Sequence, residues 1–140
     1  MSGRSLREII PRLLAAALFL FTGSLHFLKP EIFVAIVPPM LPAPALLVAI
    51  SGAAEIAGAA GLLLPQTRRI AVYGLIALLL AVFPANIYMA VAHEKFASFA
   101  PQWILIVRLP LQLLLIGWIW SMRPRLLTRL GASNRSADTP

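Results

Sequence analysis

ALLVAISGAAEIAGAAGLLL, residues 45–64, decides the fold. It is twenty residues long, holds a single charge, Glu55, and is bounded by Pro44 and Pro65. An α-helix of that length rises about 30 Å, the thickness of a bilayer's hydrocarbon core. The series Gly52, Ala53, Ala54, Gly58, Ala59, Ala60, Gly61 lets such a helix lie close to its neighbours. The stretch reads as a central transmembrane helix whose acid turns inward.

Similar runs occur at 9–28, 70–92 and 103–122, separated by short polar or proline-rich breaks. The expected fold class is therefore all-α: an integral membrane four-helix bundle in one domain over residues 1–130, followed by a disordered tail at 131–140. Composition agrees. Of 140 residues, 60% are hydrophobic and 12% charged, against about 25% charged in an ordinary soluble domain. Too few polar residues remain to coat a globule in water, so the lipid bilayer is the natural solvent.

The formal charge is +7. Its distribution argues against nucleic acid, because the basic residues lie outside the apolar runs and the aromatics inside them, leaving no basic and aromatic groove. Arg4 and Arg7 precede the first run and Arg12 lies at its start, Arg68 and Arg69 sit in the second connection, and Arg123, Arg125, Arg129 and Arg135 follow the fourth. The other two connections are nearly neutral, with Lys29 beside Glu31 and Glu94 beside Lys95. The positive-inside bias then puts both termini in the cytoplasm. The first run ends in Ser24, Leu25, His26, Phe27 with no small-x-small cleavage site, so it is expected to be a retained anchor. Pro11 suits a first helical turn, Arg12 can snorkel to the headgroups, and Trp118 and Trp120 are placed as interfacial anchors. The absence of cysteine excludes disulfides, thiolate metal sites and thiol redox chemistry within the chain.

Ionisable groups in hydrocarbon cost at least about 2.5 kcal/mol each on insertion scales and tend to mark function. Two stand out. Glu55 falls roughly 15 Å below the outer end of its helix and Arg108 about 7 or 8 Å below that of the fourth. The expectation is an interhelical Glu55–Arg108 pair, direct or through water. Ser51 shares a helical face with Glu55, Gln112 with Arg108, and Thr22 with His26, while Asn86 lies in the outer half of the third helix. These groups lie toward the outside, which predicts an outward-facing pocket formed by Glu55, Arg108, Gln112, Asn86, His26 and Ser51 rather than a channel. A structural salt bridge with Gln112 and Asn86 as interhelical glue is the plain alternative. Pro84 and Pro110 should free the carbonyls of Leu80 and Ile106 or simply kink their helices. No metal site is expected. A haem held by His26 and His93 lacks any further supporting residue, and His26 is better cast as a proton donor or hydrogen bonder, since an imidazole in water titrates near pH 6.5.

The first outer connection is apolar yet crowded with Pro30, Pro38, Pro39, Pro42 and Pro44. Residues 31–37 should form a short interfacial turn of helix with Phe33, Ile36 and Val37 dipping inward, either as a lid on the pocket or as a wedge finishing the bundle.

Pro38-Pro39-Met40-Leu41-Pro42, Ser51-Gly52-Ala53-Ala54-Glu55, Leu64-Pro65-Gln66-Thr67-Arg68-Arg69, Phe83-Pro84-Ala85-Asn86-Ile87-Tyr88-Met89 and Arg108-Leu109-Pro110-Leu111-Gln112 together resemble the DoxX family of small four-helix bacterial membrane proteins. The resemblance covers about His26 to Trp118. It implies the bacterial inner membrane and association with a quinone-linked redox assembly through a partner subunit. A quinone would suit the predicted pocket, with apolar walls on the ring, Arg108, Gln112, Asn86 or His26 donating to its carbonyls, and Glu55 relaying a proton. No intrinsic cofactor is expected, and no nucleotide loop or nucleophile–base pair supports stand-alone catalysis. The rival readings are a small proton-coupled exporter using Glu55 and a structural or assembly subunit, in either case with a homo-oligomer open.

Overall fold

The computed structural model describes residues 6–124. Five α-helices and one 3-10 turn make up its regular structure: α1 (Leu6–Leu28), α2 (Pro30–Ala35), α3 (Pro44–Leu63), α4 (Arg68–Val91), the 3-10 helix His93–Phe96, and α5 (Gln102–Ser121). Among the described residues there is no strand. Four of the helices, α1, α3, α4 and α5, are long and apolar enough to cross a membrane, with mean hydropathies of 1.5 to 2.2 over their best windows. The chain is accordingly a multi-pass membrane protein. The tail at 131–140, with Arg125, Arg129 and Arg135, lies outside the described residues.

The span boundaries fall within a few residues of the sequence expectation, and the differences have local causes. Helix α1 begins at Leu6, so Pro11 sits inside the helix rather than in its first turn. Arg12 is buried rather than spread among headgroups: its Nε donates to the Glu8 carbonyl, and its guanidinium pairs with the Glu8 carboxylate at 3.5 Å. Helix α3 starts on Pro44, whose fixed φ suits the first position, after Ala43 in the left-handed region (φ 50°). The α3–α4 turn closes on side chains: Thr67 Oγ1 donates to the Gly61 carbonyl at 3.2 Å and Arg68 Nε to the Leu62 carbonyl at 3.3 Å. Those are carbonyls that a helix C-terminus leaves without intrahelical donors.

Packing follows the small residues. Helix α3 has extended interfaces with both α1 and α4, and α5 with α4. At the α1–α3 crossing a Cβ on Gly52 would lie 2.6 Å from His26 Cβ, and one on Gly23 would lie 2.9 Å from the Gly52 carbonyl oxygen. Against α4, a Cβ on Gly58 would meet Leu75 at 2.4 Å and one on Gly61 would meet Ala71 at 2.8 Å. Only glycine permits these approaches. At the end that carries Leu6 and Ser121 the four helices share a dense apolar core that includes Ala15, Phe19, Leu62, Val72, Leu75 and Ile119. Large aliphatic and aromatic side chains such as Phe21, Ile50 and Leu114 cover the outside, as lipid contact requires.

Trp120 is exposed, stacks under the Arg123 guanidinium at 4.3 Å and meets Tyr73 edge-on, the environment of an interfacial anchor. Trp118 instead packs on the core.

Candidate functional site

Toward the end that carries α2 and the 3-10 helix, the bundle opens into a cavity of about 450 Å³. Its walls are mainly apolar, with Phe19, Val48, Leu79, Val82 and Leu115 among them. Phe33, Ile36, Val37 and Pro38 close it at the α2 end, so the expected inward dip of these residues is found, and the segment covers the cavity.

Glu55 lies eleven residues into α3, about 16 Å along its axis, with a side chain only 13% exposed. Its partners come from α1. The Thr22 hydroxyl hydrogen bonds Glu55 Oε2, and His26 Nε2 lies 3.9 Å from Oε1. His26 Nδ1 donates to the Thr22 carbonyl at 2.9 Å, one helical turn back, which turns Nε2 toward the acid. With Nδ1 carrying a hydrogen, the Nε2–Glu55 contact is attractive only when one proton lies on either the imidazole or the carboxyl group. The Thr22 hydroxyl also lies 3.0 Å from the Leu18 carbonyl. It can therefore donate to a Glu55 carboxylate, or turn to Leu18 and accept from a carboxylic acid. Phe33 stacks on the His26 ring, centroids 3.8 Å apart. The site is thus a couple that can hold one proton, roofed by an aromatic ring.

Among the described residues no direct Glu55–Arg108 ion pair is found. Helix α5 has an extended interface with α4 and none with α3, so the acid finds its partners across the α1–α3 glycine contact instead. Arg108 also lines the cavity, but at its exposed rim, and its Nη1 reaches Met89 Sδ at 3.7 Å in the last turn of α4.

Ser51 and Asn86 line the cavity as expected. Gln112 does not. It is buried between α5 and α4, where Nε2 donates to the Leu79 carbonyl and Oε1 accepts from Asn86 Nδ2. The carbonyl that Gln112 meets is that of Leu79, one residue before the Leu80 carbonyl that Pro84 leaves without an intrahelical donor. Gln112 thus has the interhelical role of the plain alternative and fixes Asn86 at the cavity wall. His93 sits on the 3-10 helix, 3.5 Å from Gln102 Nε2, and is not brought to His26. Among the described residues no group of three His, Cys, Asp or Glu side chains converges as a metal site would require. Met89 was not legible as a partner, because a neutral thioether gives no charge signal; Thr22 was, through its spacing of four from His26.

No curated protein and no solved structure matches the chain. One family does, over residues 13–123, which takes in most of α1, the whole of α3, α4 and α5, and the cavity between them. The chain belongs to this family, defined by a domain of unknown function, DUF8561.

Proposed function

We infer that the protein binds a small lipophilic ligand with a quinone-type head group, as a non-catalytic or accessory subunit of a membrane redox assembly. The observation that carries this reading is the apolar cavity of about 450 Å³ with its polar groups gathered at Glu55, His26 and Thr22 on one side and Asn86 on another. Cavities of this size and lining hold one ring and a short chain. His26 or Asn86 donates to a ring carbonyl, and the Glu55–His26 couple supplies or takes up a proton as the ring changes redox state. The residues shared with the DoxX pattern, from Pro38 to Gln112, support the quinone-linked assignment and the bacterial inner membrane. The arginine distribution supports cytoplasmic termini and a cavity on the periplasmic side.

One observation favours a second reading, a proton-coupled exporter. Glu55 meets a hydroxyl and an imidazole rather than an arginine or lysine, which leaves the carboxyl group able to exchange a proton. Glu55→Gln separates the two. In purified protein the ligand reading expects a quinone titration to lose at least about tenfold in affinity, one charge-assisted hydrogen bond's worth, with the fold kept. Loss of proton-driven substrate movement in proteoliposomes, with quinone affinity unchanged, would favour the exporter. Loss of folded protein in detergent would reduce Glu55 to a structural group.

A further inference from the structure

The cavity has a second polar feature that the ligand reading does not use. Arg108 lies six residues into α5, about 9 Å along its axis, and is exposed. Its guanidinium extends toward Met89, two residues from the end of α4, and so is carried to the depth of the helix ends rather than the middle of the span. An arginine side chain on a membrane helix behaves in this way when it reaches the headgroup layer. The thioether it meets at 3.7 Å is a weak acceptor and carries no charge.

The cavity beside it is closed at the α2 end by half-buried Phe33, Ile36 and Val37 and by buried Pro38. Apart from Leu41 in the α2–α3 connection, its exposed lining residues lie within the membrane-spanning helices: Leu18 on α1, Ile50 on α3, Ala81 on α4 and Arg108 on α5. Helix α5 forms no extended interface with α1 or α3. The opening is therefore lateral and faces acyl chains. A planar, permanently charged guanidinium at headgroup depth, beside an apolar cleft open to lipid and with no acidic side chain paired to it among the described residues, matches one partner chemistry: a phosphate oxyanion carried on a hydrocarbon chain.

We propose that Arg108 binds the phosphate of an anionic phospholipid, one of whose acyl chains lies in the lateral mouth of the cavity. This goes beyond the ligand reading, and the two use different residues and different measurements, so either can fail alone. Trp103 provides a local reporter, five residues before Arg108 on the same helix end, about 7.5 Å along the axis. In a Trp118→Phe/Trp120→Phe background it is the sole tryptophan of the chain. The protein is reconstituted in phosphatidylcholine vesicles in which the brominated component is either phosphatidylglycerol or phosphatidylcholine. Half-maximal quenching of Trp103 should need about fivefold less brominated phosphatidylglycerol, the factor one arginine adds at an anionic surface.

Arg108→Gln should bring the two lipids level, and Arg108→Lys, which keeps the charge, should keep most of the preference. Inorganic phosphate in excess should leave the preference in place. Equal quenching by both lipids in the parent, an undiminished preference in Arg108→Gln, or its abolition by inorganic phosphate would each overturn the proposal. The difference between parent and Arg108→Gln is also readable with all three tryptophans present, should the double aromatic replacement fail to fold.

Discussion

Gln112 illustrates how one side chain can serve a site without lining it. Its two ends satisfy Asn86 and the Leu79 carbonyl in a buried place. Gln112→Leu would leave an Asn86 amide hydrogen unpaired and take from the Leu79 carbonyl its interhelical donor. Interhelical hydrogen bonds in membranes are worth about 0.6 to 2 kcal/mol, so the variant should unfold in detergent at a midpoint a few degrees lower, and Asn86→Leu should add little to it because the pair is already broken. Additive losses would mean that the two residues act separately. The sequence singled out Gln112, Asn86 and Glu55 correctly as polar groups in hydrocarbon. It did not supply their partners, because attraction between Glu55 and Arg108 is decided by which helices are neighbours, and spacing along one helix carries no such information. Thr22 and His26, four apart on α1, were visible as a couple but not as the couple that meets Glu55.

The α1–α3 crossing positions that couple. Gly52 faces His26 three residues before Glu55 on α3, where a Cβ would meet His26 Cβ, and a Cβ on Gly23 would meet the Gly52 carbonyl. Gly52→Ala adds a methyl group where the nearest atom, a Cβ, cannot rotate away. The helices must separate, at about 1 to 3 kcal/mol for an overpacked contact, and the His26–Glu55 approach at 3.9 Å should widen with them. Gly117→Ala is the control, since its Cβ would meet nothing within 4 Å. Thermal unfolding in detergent should drop for Gly52→Ala and hold for Gly117→Ala; equal midpoints would remove the crossing from the account. The glycine pattern was readable as close packing. Its division, with Gly52 facing α1 and Gly58 and Gly61 facing α4, depends on helix rotation, which the weak amphipathicity of a helix apolar all round does not fix.

The four long helices and their order were legible because twenty-residue apolar runs leave few alternatives in a bilayer. Orientation is tested by chemistry that the chain itself makes simple, since it holds no cysteine. With cytoplasmic termini, Lys95→Cys should react in spheroplasts with an impermeant maleimide and Arg69→Cys only after permeabilisation; the opposite pattern would invert the topology. The lateral opening was not foreseen. Charge and hydropathy describe what a helix is made of, whereas the opening depends on α5 having its extended interface with α4 and none with α1 or α3.

The central claim is that the cavity holds a lipophilic small molecule, and the most direct measurement is mass spectrometry of compounds retained by gently purified protein. Ala85 lines the cavity, whereas Leu114 faces outward and is 69% exposed. The account predicts one retained quinone-type compound in the parent, the same compound in Leu114→Trp, and its loss in a folded Ala85→Trp that fills the space. Retention of the same compound by Ala85→Trp, or of none by the parent, would contradict it.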